Sequence, residues 1–210
     1  MTTTEPPIYG LDIETDTTVD GLDPVLSPVV AVALSTPAGD EVLTGPEVGI
    51  LERLDARLRA LPPGVLATWN GGAFDLPFLA DRAEIGGVRL GLVLHPDPFL
   101  VSADDPLVGH VAVYRATWHG HRHLDAYRAY RADVGPALRV SASLKSIARL
   151  VGLPPVEVDR RRIHALSAAE LDAYVASDAR LTRLLAQRRW PGIARWVNEP
   201  GGSFDVTPPR

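Results

Sequence analysis

The chain has 210 residues, of which 46% are hydrophobic and 22% are charged, and its formal net charge is −5. This length and composition are ordinary for one soluble globular domain with a real core. The negative charge excludes a protein that binds nucleic acid through bulk positive charge, so any nucleic-acid partner must meet a local basic patch.

Three features of the sequence narrow the class of protein further. The chain contains no cysteine, which excludes disulfides and thiolate zinc sites and favours a reducing, cytoplasmic location. The N-terminal stretch, residues 1–7, is short and polar and ends in proline, so we expect no signal peptide. No apolar run approaches the ~18 residues of a membrane span, and we expect no membrane partner.

The first half of the chain alternates between strand and helix patterns. Four short apolar runs predict strands, at residues 8–14, 29–34, 41–44 and 65–69. Two segments predict helices, at residues 46–61 and 73–83. The first helix has its apolar residues at helical spacing, at Val48, Leu51, Leu54 and Leu58. The second is entered through a turn at Asn70-Gly71-Gly72.

The second half is less regular before it becomes helical. Residues 86–120 alternate as β-hairpin material and match no motif, so we interpret them as a β-rich insertion. Residues 121–125 predict a strand, and helices are predicted at residues 126–132, 142–151 and from Ser167 to about residue 189. Ser167 and Glu170 form a capping box at the start of the last helix.

The order of these elements predicts the fold class and the domain boundaries. Three early strands, then alternating helix and strand, then helices, indicate an α/β fold with a mixed β-sheet flanked by helices. The last twenty residues are rich in Pro and Gly and predict a loosely packed tail. We therefore place one domain at residues 1–190 and a tail at residues 191–210.

Two acidic residues stand together at the end of the first predicted strand. Asp12 and Glu14 are two positions apart, so on a strand they point to the same face. Adjacent acids repel each other and resist burial, which favours a bound cation, a solvated edge or raised pKa values. A strand that simply runs into a polar turn is the plain alternative.

Further acidic positions lie near helices. Asp75 stands near the start of a predicted helix whose first turn accommodates Pro77, so a helix-capping role and a catalytic role are both open. Tyr174 and Asp178 are four positions apart on the last helix and share one face. Because burial of a carboxylate in mid-helix is costly, Asp178 is harder than Tyr174 to explain by packing.

Taken in chain order, these residues resemble a known family. Three patterns, Asp12-x-Glu14, Asn70-x-x-x-Phe74-Asp75-x-Pro77 and Tyr174-x-x-x-Asp178, resemble the motifs of DEDD-type 3′–5′ exonucleases, in the branch with tyrosine in the third motif. The stretch of residues 69–79 looks most like the proofreading domain of family B DNA polymerases. The resemblance covers about residues 8–189, and the ordered trio is far more specific than any one motif.

The resemblance implies a ribonuclease-H-like fold and two divalent ions, Mg²⁺ or Mn²⁺, in a metal-dependent 3′→5′ exonuclease acting on single-stranded DNA ends. In that plan Asp12 bridges both ions, Glu14 and Asp178 complete the first metal site, and Asp75 holds the second through water. Tyr174 orients the attacking water. Carboxylate oxygens suit these ions, and two ions ~3.5–4 Å apart can activate a water and stabilise the leaving 3′-oxygen.

Substrate contacts are predicted at other positions. By the same resemblance Asn70 and Phe74 lie near the 3′-terminal nucleotide, where Phe74 can stack on a base; the plain alternative is a turn residue and a core residue. Lys145, the only lysine, is predicted on the polar face of its helix and is a candidate phosphate contact. The run Arg160-Arg161-Arg162 is another, although such runs are usually solvated.

Three alternating histidines are a weaker pattern. On a strand, His119, His121 and His123 would share one face and could ligate a transition metal, although such histidines are more often solvated or bound to phosphate.

Other functions remain open from the sequence. An exoribonuclease is one, since nothing in the chain identifies a reader of the 2′-hydroxyl. A non-catalytic nucleic-acid-binding module on the same fold is another. A third is a proofreading subunit that binds a DNA polymerase or repair partner through the tail.

Overall fold

The computed structural model describes residues 5–97, 107–110, 112–137 and 140–197. Within these ranges seven strands form one sheet: β1 Ile8–Thr15, β2 Val29–Thr36, β3 Gly39–Thr44, β4 Val65–Thr68, β5 Leu92–Pro96, β6 Tyr114–Trp118 and β7 His121–Asp125. The strand order is β3-β2-β1-β4-β7-β6-β5. The central strands β1, β4 and β7 are parallel to one another. On either side of them, two further strands each pair antiparallel with their neighbours. The predicted mixed sheet is confirmed.

Helices cover both faces of this sheet. The helices in the described ranges are α1 Glu47–Ala60, α2 Asp75–Gly86, α3 Ala126–Val134, α4 Leu144–Leu150 and α5 Ala168–Ile193. One core cluster joins α1 and α2 to one face of the sheet, and other clusters join α3 and α5 to the opposite face. Among the described residues, no helix has the length and apolar character that a membrane crossing requires.

The alternation of side chains along β1 divides the molecule into these two layers. Tyr9, Leu11 and Ile13 pack into the α1/α2 cluster. The intervening positions, Gly10, Asp12 and Glu14, therefore point to the α5 face. Strand β1 thus uses its apolar residues for one core and presents its acids to the last helix.

Most predicted elements are confirmed to within a few residues, with two corrections. Val48, one of the four apolar residues at helical spacing in α1, does not join the core but is 44% exposed, because the buried residues of that helix begin at Ile50. Helix α5 was predicted to end at about residue 189 but continues to the fully buried Ile193. The boundary at residue 190 therefore falls inside a packed helix, and residues 198–210 of the predicted tail lie outside the described residues.

Residues 86–120 are β-rich, as predicted. Strands β5 and β6 are antiparallel neighbours that extend the central sheet beyond β7. Residues 98–106 and 111 of this segment lie outside the described residues.

The three alternating histidines do not share a strand face, so that prediction is wrong. His119 lies in the turn between β6 and β7 with a φ of 50°, and its Nε2 hydrogen-bonds Asp55 Oδ1 at 2.9 Å. His121 donates to the carbonyl oxygen of Leu58, and His123 shares a hydrogen bond with Thr68. Each imidazole therefore has its own structural partner.

The buried His123 predicts a loss of stability in acid. Burial lowers the pKa of His123 to about 3, whereas an unfolded histidine titrates near ~6.5. Between these values the unfolded chain takes up a proton that the folded chain refuses, so stability falls as pH drops, by up to about 1.4 kcal/mol per pH unit. His123→Gln, which cannot ionise, should show a shallower fall of Tm from pH ~6.5 to ~4. The exposed His95→Gln is the control, and parallel Tm curves for all three proteins would contradict the prediction.

Candidate active site

The candidate site lies at the edge of the sheet where the three parallel strands end. Strand β1 ends beyond Asp12 and Glu14, β4 leads into the turn before α2, and β7 ends at Asp125. In open α/β sheets the crevice outside the carboxyl ends of the parallel strands is where ligands bind. Acidic residues reach this edge from all three strands or the segments that follow them.

The register of β1 and β2 shows what Asp12 and Glu14 face. Asp12 pairs with Ala33 and Glu14 with Ala31, and directly opposed residues of an antiparallel pair share a face. These two alanines pack in one cluster with Val175 and Ala179 of α5. Both half-buried acids therefore project onto the face that α5 covers.

Helix α5 brings Tyr174 and Asp178 to that same face. The two side chains directly precede Val175 and Ala179 in the chain and are only 1% and 2% exposed. A capping box at Ser167 and Glu170, as predicted, fixes the start of the helix. The first and third sequence motifs are thus brought together across the interface between β1 and α5.

A glycine that the sequence analysis did not single out permits this close approach. A Cβ at Gly10 would overlap the carbonyl oxygen of Ala179 and lie 3.0 Å from Cβ of Arg183. Only a residue without a side chain therefore lets the backbone of α5 lie against β1 at this point. Gly10 precedes Asp12 by two residues, and Ala179 follows Asp178 directly.

Lys145 is buried beside the third motif, so its predicted position on the polar face of α4 is wrong. It is 8% exposed, and its Nζ lies 3.6 Å from Asp178 Oδ2 and 4.1 Å from the centroid of the Tyr174 ring. The same ammonium donates a hydrogen bond of 2.7 Å to the carbonyl oxygen of Val156. The site therefore contains one buried cation among its acids.

Asp75 is the first residue of α2, directly after the N-cap position occupied by Phe74. Its carboxylate lies near its own backbone N–H and that of Ile13, which lies between Asp12 and Glu14, and both N–H groups act to lower its pKa. Burial, reinforced by the neighbouring Asp125, nevertheless raises the pKa of Asp75 to about 7. Asp75 therefore lies next to the N-cap, as predicted, although its side chain does not itself cap the helix.

Asp125 is an acid that the sequence analysis missed, with a side chain that is 10% exposed. It caps α3 through the N–H of Arg128 and accepts hydrogen bonds from the N–H groups of Asn70 and Gly72, at 3.1 and 3.2 Å. Burial raises its pKa. Asp125 therefore fixes the turn that carries Asp75. No sequence motif marks this role, because the contact depends on β7 pairing in parallel with β4.

Asn70 and Phe74 have clear structural roles in this turn. Asn70 adopts a φ of 68°, a conformation that asparagine tolerates better than most residues, and its carbonyl accepts from Ala73 and Phe74 N–H. The half-buried Phe74 ring packs 5.3 Å from that of Phe78, at the edge of the main core. Contacts of either side chain with a nucleotide stay a prediction.

The donor chemistry of these acids fits divalent cations. Asp12, Glu14, Asp75 and Asp178 supply only carboxylate oxygens, the ligands that Mg²⁺ and Mn²⁺ prefer. Over the described ranges, no three His, Cys, Asp or Glu side chains are already gathered closely enough to hold a metal ion. Like-charged carboxylates repel one another, and Lys145 attracts Asp178, so the acids share one region and one face without being drawn tightly together.

The mixed sheet, its flanking helices and the acids at its edge define a ribonuclease-H-like α/β protein. The fold agrees with that of the family B DNA polymerase from the archaeon Pyrobaculum calidifontis, with a TM-score of 0.70 and 24% sequence identity over 90% of this chain and 25% of that one. The family described as DNA polymerase family B, exonuclease domain, matches residues 35–147, which is just over half of the chain. The chain belongs to this family.

Relatives with sequence similarity point the same way. The catalytic subunit of DNA polymerase epsilon from Schizosaccharomyces pombe is 29% identical over 66% of this chain and 6% of its own length. The DNA polymerase of Thermococcus litoralis is 27% identical over 75% of this chain and 9% of its own length. The chain thus spans only a small part of the relatives it matches.

The range of the family match includes some of the predicted site residues and leaves out others. Its range includes Asn70, Phe74, Asp75 and Lys145. The first motif, Asp12 and Glu14, lies before the range, and the third, Tyr174 and Asp178, lies after it. The resemblance to the exonuclease domain is confirmed, whereas the tyrosine subtype and the metal ligands stay predictions.

Proposed function

We propose that the chain is a metal-dependent 3′→5′ exonuclease that hydrolyses mononucleotides from the 3′ ends of single-stranded DNA. One observation carries this proposal: the α5 face with Tyr174 and Asp178 lies on the same side of the sheet as Asp12 and Glu14. The Asp75 carboxylate lies near the backbone N–H of Ile13, between those two acids. Residues of all three motifs therefore meet at one edge of the molecule.

The acids have distinct tasks in this proposal. Asp12, Glu14 and Asp178 would hold one divalent ion, and Asp75 would share a second ion with Asp12. When bound, two such ions supply an activated water and stabilise the leaving 3′-oxygen. The nearby N–H of Ile13 would favour the charged Asp75 carboxylate. The packed ring of Tyr174 would fix a hydroxyl that orients water.

Lys145 contributes positive charge to the same site. Its ammonium lies beside Asp178 and over the Tyr174 ring, so it offsets part of the repulsion among the acids. We propose that the same charge attracts the scissile phosphate of the bound 3′ end. This keeps the predicted phosphate role of Lys145 but moves it from the surface into the site.

DNA is favoured over RNA because the relatives are described as DNA polymerases. A DNA polymerase acting from a separate chain, or a repair protein, is the proposed type of partner.

The proposal is tested with matched single-stranded DNA and RNA oligonucleotides labelled at the 5′ end, incubated with Mg²⁺ or Mn²⁺. We expect stepwise shortening of DNA from a free 3′-hydroxyl, release of mononucleotides and survival of circular single strands. Asp12→Ala should abolish shortening while the protein stays folded. Rapid cutting of circles would indicate an endonuclease, preferred shortening of RNA an exoribonuclease, and binding without shortening a non-catalytic module.

A further inference from the structure

We propose that residues 156–164, here called the basic segment, form a phosphate-binding rim of the active site, with Arg162 and His164 contacting the strand upstream of the scissile phosphate. The proposal rests on the proposed function for the identity of its ligand, a single-stranded polynucleotide. It adds a binding surface outside the catalytic motifs.

One end of the basic segment is fixed to the third motif. The backbone N–H of Val156 donates to Ser177 Oγ at 3.2 Å, and its carbonyl accepts from Lys145 Nζ at 2.7 Å. Ser177 directly precedes Asp178, and Lys145 lies 3.6 Å from that carboxylate. The segment therefore begins in contact with the residues that surround Asp178.

The other end of the basic segment is fixed to the first motif. His164 Nδ1 and Thr17 Oγ1 share a hydrogen bond of 3.0 Å. Thr17 follows Glu14 by three residues, in the loop that leaves β1. The side chain of Ile163 is 3% exposed and anchors this end in the protein. The segment thus spans one side of the site, from the surroundings of Asp178 to the end of β1.

The basic segment presents both acidic and basic side chains to solvent. Of its exposed acids, Glu157 binds Arg149, and Asp159 likewise has a partner in the protein. Arg162 and His164 are both exposed. Arg162 forms no ion pair with any residue in the described ranges, whereas the arginines Arg59, Arg82 and Arg115 are each bound to an aspartate or glutamate. The guanidinium of Arg162 is therefore not committed to the fold.

The charge of the whole chain makes such a rim necessary for a polynucleotide substrate. The net charge is −5, and the catalytic edge gathers acids, so a phosphate backbone is repelled unless positive charge lies nearby. A guanidinium is well suited to this task, because its planar donors match two phosphate oxygens at once. If Arg162 is instead an ordinary solvated surface residue, its removal should not affect substrate binding.

The experiment compares two substrates of different length. A short single-stranded oligothymidylate reaches beyond the catalytic acids, whereas the p-nitrophenyl ester of thymidine 5′-monophosphate does not. Arg162→Ala, alone and combined with His164→Gln, should lower the ratio of kcat/KM for the oligonucleotide to kcat/KM for the ester, roughly three- to tenfold. The loss should lie in the oligonucleotide KM. The glutamine variant retains a partner for Thr17.

Arg89→Ala is the matched control. Arg89 is an exposed arginine beyond the far end of α2, a helix of 12 residues that starts at Asp75. The substitution removes the same charge from a position remote from the catalytic edge and should leave the ratio as in the parent.

Binding in the absence of divalent ions separates this proposal from the proposed function. Fluorescence anisotropy with the oligothymidylate should show weaker affinity for the Arg162 variants, with a log–log salt slope that is shallower by about 0.7 for each phosphate that the variant no longer neutralises. Hydrolysis of neither substrate by the parent would overturn the exonuclease assignment while the binding data still test the rim. An unchanged affinity, or equal losses with Arg162→Ala and Arg89→Ala, would overturn the rim.

Discussion

Gly10→Ala should sharply lower the proposed exonuclease activity and destabilise the protein. The added methyl group would overlap the carbonyl oxygen of Ala179, and backbone at this point cannot move without shifting α5. We expect a cost of about 1–3 kcal/mol in the free energy of unfolding, as for other overpacked positions. A shift of α5 also moves Asp178 away from Asp12, and misplacement by ~1 Å costs on the order of 10²-fold in rate. Chemical denaturation and single-turnover rates measure both effects.

Gly49→Ala is the matched control for this change. Gly49 lies within α1, and a Cβ there would meet no described atom within 4 Å. Since alanine is a better helix former than glycine, the control should be more stable than the parent by about 0.5–1 kcal/mol. If Gly10→Ala keeps the activity and stability of the parent, the contact between β1 and α5 does not set the geometry of the site.

Asp178→Asn should remove both the activity and most of the stabilisation that Mn²⁺ gives the parent. Because Asp178 is a proposed metal ligand, its substitution should lower the rate by more than the ~10²–10⁴-fold that a positioned proton-handling group typically contributes. Tyr174→Phe is the matched variant on the same helix face, because it keeps the ring and deletes only the hydroxyl. It should slow the reaction by ~10²-fold or less and should leave the stabilisation by Mn²⁺ as in the parent. Single-turnover rates and thermal melts with and without Mn²⁺ distinguish the two.

The contact between Lys145 and Asp178 makes it possible to separate catalysis from stability. Asp178→Asn leaves the buried ammonium beside a neutral amide, so the metal-free protein should lose up to about 3 kcal/mol. Adding Lys145→Met to that variant should recover stability without recovering activity. Recovery of activity in the double variant would show that Asp178 serves to neutralise Lys145 and is not a metal ligand.

Local patterns in the sequence were sufficient to predict most of the fold and to single out the proposed metal-binding acids. The alternation around Asp12 and the capping box at Ser167 each depend on neighbours within a few residues, so they can be read without knowledge of the fold. The ordered motifs placed Asp12, Glu14, Asp75 and Asp178 at one edge of the sheet, where the structure has them. The pairing of those acids with metal ions was predicted from the resemblance and stays a prediction.

What the sequence did not predict depends on contacts between distant segments. Lys145 was assigned to the polar face of its own helix, whereas its partner Asp178 lies on another helix. Asp125 binds a turn more than fifty residues earlier in the chain, at separations of 55 and 53 residues. Gly10 is required only because α5 packs against it. The role of each of these residues can be recognised only once the strand order is known.

If the proposed function holds, the interface between β1 and α5 also governs when, during synthesis, the protein gains its nuclease activity. Asp12 and Glu14 leave the ribosome well before the helix with Tyr174 and Asp178, which is made more than 150 residues later. As far as the described residues go, the main core on the other face of the sheet draws no side chain from α5, so it does not depend on that helix for its contacts. Contacts between segments so far apart in sequence form slowly. If the proposed function holds, a growing chain, or one whose last helix has come loose, has three of the four proposed metal ligands in place and cannot cut, and cleavage itself would report that the last helix has docked.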